Sequence, residues 1–348
     1  MPDPTVDAGS SEPIEPSAGG PAVLADVADL PDEAITGVVG HVAPGAQPAA
    51  GVPVATAGDF DVEARSQVRM ALQRFVHHRL AMFALIVLVL VMGASLLGGR
   101  IAPYKFDELT SDYSQPPSLD HLMGTDAIGH DLLSQVLRGA QKSVQVALLV
   151  ALLSTTIGVV LGALAGYFRG WIDIVVSRLT DLVLTVPVIL ILLVLASEFR
   201  DQRNNWVAIA LIIAVVGWPS VARVVRGIFL SLREKEFVEA ARAIGAPSRR
   251  IIFRHMLPNA VGPIVVSATL TVALAILLET ALAFLGLGVS APDTSLGKLV
   301  DAGKGATLHR PWLFYFPGAV LLLICLCVNF VGDGLRDAFD PQQNRVRQ

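Results

Sequence analysis

Six apolar runs alternate with polar segments along this chain: 80–98, 143–168, 181–197, 206–230, 259–285 and 312–331. Each is near the ~20 residues that a helix needs to cross a bilayer. The second run carries Gly158, Gly162, Ala163 and Gly166, small residues that let helix backbones approach closely. Pro187 lies inside the third, and Gly217-Trp218-Pro219 interrupts the fourth. The predicted fold class is an all-α polytopic membrane protein with six transmembrane helices.

The segments between the runs differ in character. Residues 1–64 are rich in Pro, Gly, Ala and Asp, without helical or strand periodicity. Such a stretch cannot bury enough apolar surface to offset its ordering entropy, so a disordered acidic arm is expected. It lacks the basic start and apolar core of a signal peptide. Residues 65–98 form a basic segment followed by the first span. Residues 99–142 make a loop that ends in an amphipathic helix at 129–138. A short loop with Arg169, Asp173 and Arg178 follows the second span, and a polar turn at 199–205 the third. Residues 143–331 then form a five-helix core, with a polar loop at 286–311, and 332–348 a short tail.

The charged stretch 231–258 stands out between two spans. It holds Arg233, Lys235, Arg242, Arg249, Arg250 and Arg254 against Glu234, Glu236 and Glu239. Phe237, Val238, Ala241 and Ile244 recur at helical spacing, as do Ile251, Ile252 and Met256 after a break. The pattern predicts two short amphipathic helices. Gly245 sits where the first needs a residue comfortable at positive φ. Pro247 opens the second, where a proline costs least. Such a platform can lie on a membrane surface or dock another protein.

Composition supports the membrane reading. Of 348 residues, 53% are hydrophobic and 16% charged, and the mean hydropathy is +0.61. Residues 1–64 carry eleven acids and no Lys or Arg. Arg65, Arg69, Arg74 and Arg79 precede the first span, which places the N-terminus in the cytoplasm. Basic residues then fall in alternate connections, so both termini and 231–258 are expected on the cytoplasmic side.

The chemistry on offer is narrow. Cys325 and Cys327 share the last span, which rules out a disulfide framework and reads as small apolar packing. His121, Asp126, His130 and Asp131 lack a recognised ligand spacing, and Thr125-Asp126 reads as turn and cap chemistry. No catalytic, cofactor or metal site is expected. Two ionisable residues fall within spans, Glu279 near the outer end of the fifth and Asp181 at the inner end of the third, and Glu279 is able to line a solute pathway or to hydrogen-bond a neighbouring helix. Ala302-Gly303-Lys304-Gly305 lacks the Ser or Thr and the first Gly of a phosphate-binding loop. If ATP drives this protein, another chain must bind it.

Glu239-Ala240-Ala241, Gly245 and Met256-Leu257-Pro258 together resemble the EAA loop of permease subunits in bacterial ABC importers, although His255 stands where Ile is usual. His121 to Asp126, Gly129-His130-Asp131-Leu132-Leu133, Phe284-Leu285-Gly286-Leu287-Gly288 and Gly332-Asp333-Gly334-Leu335-Arg336-Asp337 are similar to dipeptide/oligopeptide permeases of the DppC/OppC type. The resemblance spans roughly residues 70–342. It implies a type I ABC importer permease fold with a cytoplasmic coupling helix, set in the bacterial inner membrane. It further implies a second homologous permease subunit, two ATPase subunits that bind ATP and Mg, and an extracytoplasmic binding protein. No cofactor is expected in this chain, lipid surrounds it, and no nucleic acid is involved. Glu239, Ala240, Ala241, Arg242, Gly245, Arg249 and Arg250 would make the ATPase contact. The implied solutes are di- or oligopeptides, with nickel, glutathione or haem-type solutes as variants within the family. A stand-alone channel or secondary transporter would need more buried charge than one Glu.

Overall fold

The computed structural model describes residues 67–199 and 206–339. The acidic arm at 1–64, part of the 199–205 turn and the last nine residues of the tail lie outside the described residues. Helix α1 (Gln67–His77) meets α2 (Arg79–Leu96) at His78, whose Nδ1 accepts a hydrogen bond from the Ala81 amide at 3.1 Å. A single turn, α3 (Gly98–Ile101), leads into an irregular segment, 102–131. That segment is pinned to the following helix: Ser134 Oγ donates to Tyr104 O at 2.9 Å, and Gln135 Nε2 to Phe106 O at 2.5 Å.

Helix α4 (Leu132–Phe168) is 37 residues long. Its cap is Asp131, whose carboxylate accepts from the Ser134 amide at 2.9 Å. Asp126 instead shapes the preceding turn, accepting from the Ile128 and His130 amides, both at 2.9 Å. The separate amphipathic helix expected at 129–138 is therefore the first turns of α4. Arg169 and Gly170, with φ of 57° and 60°, end α4 and reverse the chain.

The expected loop around Asp173 is helical, as part of α5 (Gly170–Thr185). Pro187 breaks the third apolar run outright. It has no N–H to donate and pushes Val186 into an extended conformation (φ −81°, ψ 132°). Helix α6 (Val188–Glu198) then departs at 87° from α5. Helix α7 (Trp206–Leu232) runs unbroken through Gly217-Trp218-Pro219, against expectation. Neighbouring helices supply the packing that lets a spanning helix keep an internal proline.

After α8 (Glu236–Ala243) and the single turn α9 (Ser248–Arg250), a wide π-helical turn at Ile251–Met256 runs into α10 (Leu257–Phe284). The second expected amphipathic helix is thus the entry to a 37-residue span, Ser248–Phe284. The loop at 286–311 contains α11 (Leu296–Gly303), capped by Ser295. Helix α12 (Trp312–Phe339) continues well past residue 331 into the expected tail. Among the described residues, five helices are long and apolar enough to cross a membrane, six spans if the bent α5–α6 pair counts as one.

Lipid is as apolar as Leu, so close packing and polar links must join these helices. The α4–α7 seam is the tightest. A Cβ on Gly158 would lie 2.6 Å from Val221 Cβ, one on Gly162 2.5 Å from Ala222 O, and one on Gly166 2.6 Å from Phe229 Cβ. The main core joins α4, α6, α7, α10 and α12 around Leu192, Ile209, Ile213, Ile276 and Leu282. A second cluster closes the end of the bundle that carries α8. At the opposite end, Arg138 (2.7 Å) and Lys142 (2.9 Å) of α4 hold Asp293, just before α11. Burial pushes the Asp293 carboxyl up, but these two cations outweigh it and set its pKa below the ordinary value.

Candidate functional site

The charged platform is built by stopping α7 and restarting the chain at a sharp angle. The Arg233 amide bonds to Phe229 O (3.0 Å) and the Lys235 amide to Leu232 O (3.2 Å), closing the last turn. Lys235 then turns extended (φ −86°, ψ 144°) and α8 begins. Glu236 and Glu239 occupy its first turn and Arg242 its last, the arrangement that complements the helix dipole.

Gly245 ends α8. Its φ is 75°, its amide donates to Arg242 O at 2.9 Å, and the Ala246 amide donates to Ala241 O at 3.0 Å. This pair of bonds is a Schellman motif, which needs the left-handed residue at that place. No heavy atom lies within 4 Å of where a Gly245 Cβ would stand. Backbone angle, not crowding, is what calls for glycine here.

The two faces of α8 differ sharply. Val238 (0% exposed) and Ala241 (5%) pack into a cluster with Ala163 and Tyr167 of α4, Val225 and Phe229 of α7, and Ile251, Ile252 and Met256. The short helix is thereby fastened to three long ones. On the open side, Phe237, Ala240 and Ile244 follow one another at helical spacing, and Ile244 is 85% exposed. Phe253, 62% exposed, lines a shallow hollow with Pro247, Arg249 and Arg250 beyond the cap. Glu239, Arg242, Arg249 and Arg250 are all exposed. Arg169 of the α4–α5 turn pairs with Glu234 at 2.6 Å, and the Arg242 guanidinium stands 5.7 Å above the Tyr167 ring. Burial, with the nearby Arg169 and Arg242 cations, pushes the pKa of Arg233 down from its ordinary value.

Of the residues singled out from sequence, Glu239, Ala240, Ala241, Arg242 and Gly245 come together on α8 and its cap. Arg249 and Arg250 sit on the next turn. Ala241 belongs to the buried face and the other six to the open one or its margin. Glu279 is elsewhere and fully enclosed. Its Oε2 accepts from Ser143 Oγ of α4 at 3.1 Å, and Ser143 Oγ in turn accepts from the Leu296 amide. Of its two readings, the bond to a neighbouring helix is the one this geometry displays. Ala302-Gly303-Lys304-Gly305 closes α11, with Lys304 paired to Asp301, and makes no open cradle. His121 and Asp131 pair at 3.0 Å in the 102–131 segment.

The sequence singles out Asp181 but not its partner or the polar cleft between α5 and α7, where Asp173 pairs with Arg226 and Asp181 with Arg223. The signal was present. Asp173, Ser177 and Asp181 recur every four residues, opposite Arg223 and Arg226, but a helix had to be recognised at 170–180 first.

Comparison with known proteins adds two family matches. The family described as "Binding-protein-dependent transport system inner membrane component" matches residues 158–345. The "N-terminal TM domain of oligopeptide transport permease C" matches residues 66–117. The chain is 41% identical over 289 residues to the oligopeptide transport system permease protein OppC of Mycobacterium tuberculosis, covering 82% of this chain and 98% of that protein. It is 41% identical over 286 residues to the Escherichia coli protein of the same name, covering 81% and 94%. A putative peptide permease protein of Brucella suis is 42% identical over 272 residues, covering 77% and 89%. Among solved structures, an inward-facing MetNI methionine ABC transporter chain matches with TM-score 0.52 at 20% identity, covering 60% of this chain and 98% of that one. This last likeness concerns the fold, which is that of an ABC importer permease.

Proposed function

The chain belongs to the binding-protein-dependent transport system inner membrane components, and on that premise we propose that it is the peptide-conducting permease subunit of an ATP-driven importer. Its relatives are named for oligopeptide or peptide transport, and di- or oligopeptides are the solutes assigned to this chain. A second homologous permease would complete the pathway. Two ATPase subunits would bind ATP and Mg, and an extracytoplasmic binding protein would deliver solute. Both termini and α8 would then lie in the cytoplasm, as the basic residues before α2 and after α7 favour.

The observation that carries this reading is the asymmetry of α8. Val238 and Ala241 fasten one face to α4, α7 and the start of α10, while Phe237, Ala240 and Ile244 leave the other open. A short helix with small and apolar residues on its free face and charges around them suits a groove on another protein. Movement of ATPases gripping it would pass as a rigid-body push into α7 and α10. Glu239, Ala240, Arg242, Arg249 and Arg250 are the contacts, and Gly245 holds the angle.

The experiment is reconstitution of the whole complex in proteoliposomes. Glu239→Lys reverses a charge that no described residue of this chain engages. Gly245→Val strains the cap. Each variant is expected to insert and assemble, but to lose solute-stimulated ATP hydrolysis and peptide uptake by at least tenfold. Normal uptake and stimulation in both would reject the coupling role of α8.

A further inference from the structure

The α5–α7 cleft holds charge where lipid cannot be. Asp181 lies about eleven residues into α5 from Gly170, ~16 Å along the helix at ~1.5 Å per residue. Arg223 sits a comparable distance from the end of α7, and its Nη2 donates to Asp181 Oδ1 at 2.9 Å. Both side chains are 57% exposed. An open carboxylate and guanidinium within membrane-spanning helices are too costly to face hydrocarbon. They must face water or protein.

A second ion pair in the cleft is held more tightly. Arg226 grips both carboxylate oxygens of Asp173, through Nε to Oδ1 and through Nη2 to Oδ2 at 2.8 Å, and the pair is half-buried. Ser177 Oγ adds a bond to Asp173. Asp181 and Arg223 are joined at one point only, and stand open beside it. Val176, Ser177, Thr180, Asp181, Ala222 and Arg223 line a cavity of about 270 Å³ there, and Arg226 of the tighter pair borders it too. The rest of the exposed α5 surface is mostly apolar, with Trp171, Ile174, Val175, Leu179 and Leu182, and carries one further exposed cation, Arg178.

We infer that this cleft is a solute-contacting station in the half of the pathway nearer α8. Its ligands are the charged ends of a short peptide: Asp181 takes the N-terminal ammonium and Arg223 the C-terminal carboxylate. The two ends exist on every unblocked peptide whatever its side chains. A single-point, exposed ion pair is weak enough to be exchanged for ligand charges of the same sign. The weak grip also suits a pathway, where a solute must leave as readily as it enters. This assignment rests on the peptide reading above.

The test uses the complete importer in proteoliposomes and radiolabelled trialanine. Asp181→Asn and Arg223→Gln are each expected to lower uptake at least tenfold in complexes that still co-purify intact. The double reversal Asp181→Arg with Arg223→Asp reinstates an ion pair and is expected not to restore uptake. Single variants within twofold of the unaltered complex, or full recovery in the double reversal, overturn the station and leave a helix clamp. For any variant that fails to assemble, Ser177→Cys on the intact ion pair gives a second reading. A cationic, membrane-impermeant methanethiosulfonate should modify the introduced thiol, and trialanine should slow that reaction at least fivefold. A thiol that stays unmodified, as burial against the second permease would leave it, or one that trialanine does not protect, also overturns the station. An unaltered complex that takes up no trialanine overturns the substrate reading itself, whereas uptake retained alongside insensitive variants overturns only the cleft.

Discussion

Gly162, in the seam between α4 and α7, and Gly245, at the end of α8, sit at opposite extremes of crowding. A Cβ on Gly162 would stand 2.5 Å from the Ala222 carbonyl and 2.9 Å from Val225 Cβ, while one on Gly245 meets nothing within 4 Å. Gly162 lies in regular helix and Gly245 at φ 75°. The first is glycine for want of space, the second for want of a backbone angle open to other residues. The contrast follows the work of each region. The seam holds two spans at fixed separation, with backbone against backbone. The platform holds one short helix at a fixed angle, with its far side left free. A seam tolerates no side chain of any shape. A cap tolerates whichever side chain can adopt its angle.

The largest effect is expected in the seam. In Gly162→Val the new atoms press on the backbone of α7, which cannot swing aside as a side chain tip would. Overpacking of this kind costs about 1–3 kcal/mol, and more where backbone must move. Thermal unfolding of the detergent-solubilised chain should shift downward by several degrees, and assembly into the complex should fall. An unchanged transition would mean that α4 and α7 do not approach as closely as their glycines indicate.

At Gly245 the effect should depend on which residue replaces it. Valine is β-branched and disfavours positive φ, and the left-handed penalty is about 1–2 kcal/mol. Asparagine visits that region more readily and should cost less than valine. Gly245→Asn should therefore keep most uptake and Gly245→Val little, at similar expression. Equal loss in both would shift the cause from backbone angle to contact with the partner, and erase the distinction from Gly162.

Much of this was legible in the chain. The apolar runs located five long helices because a bilayer demands length and uniform apolarity, which composition records directly. The platform was legible because Val238, Ala241 and Gly245 combine amphipathic spacing with an unambiguous stop. What escaped notice was decided by tertiary contact. Gly217-Trp218-Pro219 resembles a break, yet α7 runs through it because neighbouring helices hold it. Pro187 resembles the same feature and does break its run, since Val186 moves to extended backbone. The two prolines differ in surroundings rather than in local sequence. Helix α11 was hidden for a similar reason: its anchor at Asp293 depends on Arg138 and Lys142, which are remote from it in the chain. Asp173 and Asp181 were assigned to a loop and a helix end, and only a helical 170–180 places them in one stripe.

The smallest effect on stability, and the sharpest probe of the free face, is expected from Ile244→Ser. Ile244 is 85% exposed, so its side chain contributes little to the packing of α8. Substitutions at such sites usually stay within about 0.5 kcal/mol. Unfolding of the isolated chain should therefore be unchanged. In the complex, Phe237, Ala240 and Ile244 would be buried together, and removing the most exposed apolar member should weaken retention of the ATPase subunits and lower uptake several-fold. Val238→Ala, on the opposite face, should do the reverse: it destabilises the isolated chain by about 1 kcal/mol or more through the cavity it leaves, with the docking surface itself unaltered. If Ile244→Ser lowers stability and spares uptake, the exposed face is not the working one, and the ATPase contact must be sought on the arginines of α9.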